Sequence, residues 1–565
     1  MHANILRAGY PGRLYAVNPR YHDVLGTPCF PHLAALPEVP DCVVLAVPAD
    51  TTLTLAEECA RLGVGGIVAL ASGFAEAGQR GLERQQRLRD IARGAGLAVC
   101  GPNGIGLWSV RARLAAFSPP LPGSPTPGGV ALVAQSGGLL LEVLNPLLER
   151  GVGFSHILST GNEAATSLEA FLGHLLEQPE VEMGVAIVES FKEPARLRPV
   201  LARAAALRKP VIVLKVGRSA AGQRAAASHT GSLAQDDAVI DAVLRSAGAT
   251  RVNSTEHLVE TVVLFGRRAW PTGPEVVLVS TSGGRCSLLG DLASRVPLTL
   301  ADFAAPTVAR LGELLPDFGS PNNPLDPTGI VFDREGIYAP MLAALADDPG
   351  VGLVGVYQVT RNINARGAGE QRTHRSVGLA AEVVDAARSS TTPIVAFTST
   401  TGGVVDPQVV EALDHGQVPL LLGLESALAA IGSAVDYAAF LRRSASTLPS
   451  SLAAGPTAAA PSEADAATGT AADSSGVHAA SGVDVAAWRA ALGRDGSLSE
   501  HDAKRLLAAA GLPVIDGNLA HTPEEAVALA ERLGYPVALK ASGAHIAHKT
   551  ERGLVRLNLT SAAEV

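Results

Sequence analysis

A near-verbatim internal repeat constrains this chain more than any other feature. The segment Gly129–Gly151, GVALVAQSGGLLLEVLNPLLERG, returns at Glu275–Arg295 as EVVLVSTSGGRCSLLGDLASR. Each copy is an apolar run, a Ser-Gly-Gly turn and a helical stretch. Val- and Leu-rich runs without polar alternation read as strands covered on both faces, which means a parallel sheet with helices packed on it. Two such units present two helix N-termini, each with free backbone N–H groups and the positive end of a helix dipole, where an anion is favoured. Glycine lets the backbone approach that anion closely. Ser136, Gly137 and Gly138, with Ser282, Gly283 and Gly284, are therefore the candidate anion-binding residues.

At 565 residues the chain is too long for one core, and about 150 residues per domain gives three or four. Hydrophobic residues are 47% of the chain but aromatics only 4%, so its cores are built from Ala, Val, Leu and Ile, as α/β layers allow. A net charge of -9 with no basic run argues against nucleic acid as a partner. No apolar stretch reads as long enough to span a bilayer, and the opening MHANILRAGYPGR lacks a signal-peptide core, so a cytoplasmic protein without a membrane partner is expected. Cys29, Cys42, Cys59, Cys100 and Cys286 show no CxxC spacing, and neither a disulfide framework nor a metal site is assigned.

From Arg13 the runs RLYAVNP, DCVVLAVP, VGGIVALAS and GLAVCGPNG read as strands of one parallel sheet. Ligands of open α/β sheets bind at the carboxyl ends of the strands. This marks Asn18, Pro19, Val47, Pro48, Ser72, Gly73 and Asn103, which follows Pro102, as a rim. In the second unit, further strands are read at FSHILST, MGVAIVES and PVIVLKVG, and the last leads into Ala225–Leu233, AAASHTGSL. Small neighbours leave room around the His229 ring for a bulky phosphorylated intermediate to swing, and Ser228, Thr230 and Ser232 offer hydroxyl donors to phosphate oxygens.

After Arg443 the text turns to Ala, Ser, Gly, Pro and Thr. Such a segment buries too little surface to offset its chain entropy and is expected to be a disordered linker. Order is expected to resume near Val485, with a helix capped by Ser499 and carrying Asp502 in its first turn, a helix at TPEEAVALAERLG and a strand at PVALKAS.

The His229 loop together with the paired SGG helix starts resembles the NDP-forming acyl-CoA synthetases, the family that includes succinyl-CoA synthetase. The resemblance implies a CoA-binding Rossmann-like domain at 1–122, two flavodoxin-like ligase domains at 123–268 and 269–443, the linker at 444–484 and the start of an ATP-grasp domain at 485–565. It implies an acid–thiol ligase that interconverts acyl-CoA, ADP and phosphate with a carboxylic acid, ATP and CoA. Phosphate cleaves the acyl-CoA to an acyl phosphate, and the phosphoryl group passes to His229. A neutral imidazole suits that task, and about three-quarters of a free one is neutral at pH 7.

By the same resemblance Glu189 orients the histidine, with Glu163 in STGNE as its competitor. Asn323, Pro324 and Asp326 match an NPLD turn nearby, the rim residues and Asn103 bind CoA, and Lys540 and Lys549, the latter beside His548, contact ATP. The implied cofactors are CoA, ATP or ADP, and Mg2+ bound mainly by a part of the ATP-grasp domain beyond this sequence. Partners are an acyl-CoA or small carboxylic acid, phosphate and nucleotide, with a homo-oligomer as a further expectation. The family's opening strand and glycine-rich turn are not found before residue 1, so truncation at both ends is expected. One alternative is the acyl-CoA-binding regulatory region of a protein lysine acetyltransferase, against which the retained His229 argues. The other is an NAD-binding protein, against which the missing G-x-G-x-x-G argues.

Overall fold

The computed structural model describes residues 1–120, 125–224, 236–360, 369–399, 405–447, 499–509, 514–515, 517–543 and 554–565. It divides into two units, Met1–Ala454 and Gly455–Val565.

Two flavodoxin-like sheets dominate the first unit. One contains the parallel strands Pro127–Ala134, Phe154–Ser159, Met183–Val188, Val211–Lys215 and Thr250–Val252. The other contains Glu275–Val279, Thr299–Leu300, Leu353–Tyr357, Ile394–Thr398 and Leu420–Leu422. Numbered along the chain, both follow the spatial order second, first, third, fourth, fifth. That order reverses between the first and third strands, and in doubly wound sheets this reversal opens a ligand crevice at the carboxyl ends. The repeat seen in the text is thus a repeat of topology. The hairpin Gly106–Ser109 and Leu114–Phe117 lies within the stretch expected to form the first domain, yet it pairs antiparallel onto the Phe154–Ser159 edge of the first of these sheets.

The sheets share a core. Leu132, Val185 and Ile212 belong to the same apolar cluster as Val276, Leu278 and Phe397, bridged by Leu258 and Val262 of the helix Thr255–Gly266 and by Leu428 and Ile431 of the helix Leu424–Thr447. Arg150 and Glu260 pin them further: the ion pair measures 2.6 Å, and the second Glu260 oxygen accepts from the Leu422 amide at 2.9 Å. Two expectations are corrected here. Residues 444–447, assigned to the linker, complete this last helix. Its stretch Leu424–Ser444 also has the length and mean hydropathy, 1.3, of a membrane span, but 56% of its most apolar window is buried inside the protein. It is a core helix.

The opening residues differ from their expected single sheet. Cys42–Leu45, Gly66–Ala69 and Ala98–Cys100 form a parallel three-stranded sheet. RLYAVNP contributes only Ala16–Val17, which pairs with Thr27–Phe30 in a separate small sheet. Its residues are half-buried or exposed, so this run lacks the two-sided cover that its apolar text suggested.

In the second unit Ser499 caps the helix Glu500–Ala509 as expected, its Oγ accepting from the Asp502 amide at 3.1 Å and donating to Asp502 Oδ2 at 2.6 Å. The helix Pro523–Leu533 begins at Thr522, and Val537–Lys540 pairs antiparallel with Val555–Leu559. Residues 448–498, most of the predicted linker, lie outside the described residues.

Candidate active site

The strand Pro127–Ala134 runs into Gln135 and Ser136, and Ser136 caps the helix Gly137–Glu149 by accepting from the Leu139 amide at 3.4 Å. A side chain at Gly137 would stand 2.9 Å from Ile105 Cγ2, so glycine is what lets this helix start pack on the GPNGIG loop. Ser282 likewise precedes the helix Gly283–Ala293, but its side chain makes no capping bond. Both SGG turns therefore stand at helix N-termini beyond a first strand. Around the second, Arg285 donates to Ser280 Oγ at 3.1 Å and lies 3.7 Å over the Tyr357 ring. Asn323 clips its turn to the sheet by accepting from the Leu278 amide and donating to the Val276 and Ala301 carbonyls. Asp326 accepts from the Thr328 amide at 2.8 Å.

The crevice of the first flavodoxin-like sheet is held by one amide that the sequence reading did not single out. Gln135, 6% exposed, donates to Glu163 Oε1 at 3.0 Å and to the Ser190 carbonyl at 2.7 Å, and accepts from the Glu189 and Ser190 amides at 2.7 and 3.1 Å. Three of its bonds join the first and third strand ends, across the reversal of strand order, and the fourth reaches Glu163 beyond the second strand. The signal was a polar residue closing an apolar run, where the repeat has Thr281. Lys215 was also missed: buried at the next strand end, it donates to the Glu189 and Val216 carbonyls, each at 2.7 Å, and burial lowers its pKa.

Glu163 and Glu189 meet at this clamp. Glu163 Oε1 also accepts from Thr160 Oγ1 at 2.8 Å, whereas Glu163 Oε2 and Glu189 Oε2 are buried without a hydrogen-bond partner. Burial pushes the Glu163 carboxyl up to about 7 against the Thr160 hydrogen bond, with the charge of Glu169 adding to the rise.

The GPNGIG and STGNE loops touch backbone to backbone. A Cβ at Gly161 would fall 2.1 Å from the Pro102 carbonyl, and one at Gly104 would fall 2.7 Å from that of Ser159. This contact brings Asn103 to 3.3 Å from Asn162, which also donates to Glu76 at 2.5 Å. Glu76 accepts from the Gly73 amide at 2.6 Å, tying the rim to the crevice. Val47–Pro48, Ser72–Gly73 and Asn103 follow the three strands of one sheet, with Pro48 leading into the helix Ala49–Leu62. Asn18–Pro19 follow the Ala16–Val17 strand of the separate small sheet, where the Asn18 amide donates to the Phe30 carbonyl.

In the second unit Lys540 pairs with Glu500 at 3.1 Å. His229 and Lys549 lie outside the described residues. Among the described residues, no group of three or more His, Cys, Asp or Glu side chains is arranged to hold a metal ion.

Residues 2–108 match the CoA binding domain family, 127–265 the succinyl-CoA ligase like flavodoxin domain, and 489–565 an ATP-grasp domain. Over 566 residues the chain is 27% identical to the ADP-forming 4-hydroxybutyrate–CoA ligase of Nitrosopumilus maritimus, spanning 100% of this chain and 75% of that one. It is 32% identical over 332 residues to the alpha subunit of ADP-forming acetate–CoA ligase I of Pyrococcus furiosus, spanning 58% of this chain and 71% of that subunit. The solved acetyl-coenzyme A synthetase 1 of Ca. Korarchaeum cryptofilum, in complex with phosphate and ADP, superposes with a TM-score of 0.68 at 26% identity, over 79% of this chain and 93% of that one. The fold and its three domain families define an acid–thiol ligase of the succinyl-CoA ligase type. Within that class, the chain belongs to the ADP-forming acyl-CoA synthetase family.

Proposed function

We propose that this protein interconverts acyl-CoA, ADP and phosphate with a carboxylic acid, ATP and CoA, by way of an acyl phosphate and a phosphohistidine at His229. The observation that carries the reading is the Gln135 clamp. It holds the Glu163 carboxylate directly and the Glu189 backbone amide, so that two carboxylates, each with an unpartnered buried oxygen, follow strand ends beside the helix start of Ser136, Gly137 and Gly138. Phosphate binds that start through backbone N–H groups, and the Ser282, Gly283 and Gly284 start serves as its counterpart.

Glu189 follows the strand next to Val211–Lys215, from which the chain leads to His229, and it accepts the imidazole N–H to fix the tautomer. The acyl-CoA lies along Val47, Pro48, Ser72, Gly73 and Asn103, with Asn18 and Pro19 at the outer end. Lys540 and Lys549 meet the nucleotide phosphates after Lys540 exchanges its pairing with Glu500. Magnesium has no ligand set of three or more His, Cys, Asp or Glu side chains among the described residues. The protein works in the cytoplasm, as a homo-oligomer.

Release of CoA from a panel of acetyl-, propionyl-, 4-hydroxybutyryl- and aryl-CoA thioesters tests the reading. At least one thioester is expected to be cleaved only when phosphate is present, and cleavage independent of phosphate throughout the panel contradicts it.

A further inference from the structure

Glu163 carries a buried carboxyl oxygen, Oε2, that accepts no hydrogen bond of normal geometry. The residue is 4% exposed and sits at a φ of 57°, a left-handed conformation that non-glycine residues adopt rarely. Its Oε1 accepts from Gln135 and Thr160, the Leu168 amide also acts on the carboxyl, and its Oε2 is buried with no hydrogen bond of normal geometry. Buried polar atoms are nearly always satisfied, so an orphan in a crevice points to a ligand.

Its position narrows what that ligand brings. The flanking backbone is bonded to the loop that ends the first domain's sheet: the Asn162 amide donates to the Pro102 carbonyl at 2.8 Å and the Ala164 amide to that of Gly101 at 3.1 Å. On the other side Gln135 joins Glu163 to the strand end that opens into Ser136. Glu163 therefore stands between the rim read as the acyl-CoA end and the helix start read as the phosphate site.

Resting on the function proposed above, we propose that Glu163 is the proton carrier of its acyl-transfer half. A phosphate oxygen of hydrogen phosphate dianion attacks the thioester carbonyl, and the C–O bond forms while the C–S bond breaks. Glu163 Oε2 takes the proton from the attacking phosphate and hands it to the departing sulfur. Acyl-CoA and hydrogen phosphate thus become acyl phosphate dianion and CoA thiol, with no proton gained or lost. A carrier must hold and release its proton with similar ease at working pH, and burial sets this carboxyl at about 7. The ionisable groups that interact with it are Glu169, whose charge raises it, Lys192 and the Cys100 thiol of the first domain.

The test is Glu163→Gln in the full chain. Glutamine keeps an oxygen for Gln135 and Thr160 and places an amide where Oε2 stood. Two half-reactions are followed: phosphate-dependent CoA release from the acyl-CoA that wild type cleaves, and labelling of His229 by the 32P-labelled acyl phosphate of the same acid. The variant is expected to release CoA about 100-fold more slowly and to lose the pH dependence near 7, while the acyl phosphate still labels His229. CoA release at the wild-type rate overturns the inference. So does an equal fall in both half-reactions, which assigns Glu163 to the histidine or to the fold. Wild type that takes no label from acyl phosphate defeats the proposed function itself, and this inference with it.

Discussion

The side chain of Gln135 lies 3.0 Å from Glu163 Oε1, and this contact joins the first and second strand ends of the first flavodoxin-like sheet. Because the same amide also binds Glu189 and Ser190, its loss strips several buried groups of partners at once. Each such group costs about 1–3 kcal/mol when left unpaired. Gln135→Ala is expected to lower the stability of the first unit by about 3 kcal/mol in urea unfolding. A change below about 0.5 kcal/mol, within the range of ordinary surface substitutions, contradicts the clamp.

Glu163 makes stability depend on pH with a definite sign. Its folded pKa of about 7 lies above the ordinary value of 4.5, so between the two the native state holds the proton more tightly than the unfolded chain. Stability from this group is complete below 4.5 and is lost as pH rises through 7. Glu163→Gln does not titrate, and relative to wild type it is expected to gain on the order of 3 kcal/mol between pH 4.5 and pH 8. Thermal melts of both proteins at the two pH values check this. A constant difference between them means that the carboxyl is not held protonated.

His257 acts in the opposite direction. It is 7% exposed, and its ring joins the helix Thr255–Gly266 to Leu424–Thr447 through Ser433 Oγ at 3.1 Å. Burial lowers its pKa from 6.5 to about 4. The unfolded chain thus binds the proton first, and stability is complete above 6.5 and falls as pH drops through 4. His257→Leu is expected to remove on the order of 3 kcal/mol of that acid sensitivity. Urea midpoints at pH 7 and pH 4.5 that shift by the same amount in variant and wild type would contradict a neutral buried ring.

Breaking one side of the Arg150–Glu260 pair leaves a largely buried guanidinium without its carboxylate. Glu260→Ala is therefore expected to cost about 3–5 kcal/mol. Because Glu260 also holds the Leu422 amide, hydrogen exchange at the last strand of the second flavodoxin-like sheet should quicken in this variant. Unchanged exchange there would show that the pair does not couple the two sheets.

The paired sheets were legible because the first strand of each is a continuous apolar run closed by SGG, a pattern whose period and length leave few alternatives. RLYAVNP misled because its apolar letters are too few to show whether both faces are covered. The rim at Val47, Ser72 and Asn103 was readable from turn chemistry alone. The clamp was not, since nothing in the spacing of Gln135, Glu163 and Glu189 shows that three strand ends converge. Sequence distance hides what parallel topology brings together. Lys215 was hidden for the same reason, standing as one polar residue at the end of VIVLK.

The most direct measurement is where phosphate resides during turnover. Protein incubated with its acyl-CoA and 32P-labelled phosphate, then digested and mapped, is expected to carry an acid-labile, alkali-stable label on the peptide containing His229, and His229→Ala is expected to carry none. Label absent from the wild-type protein, attached elsewhere, or undiminished in His229→Ala would contradict the account.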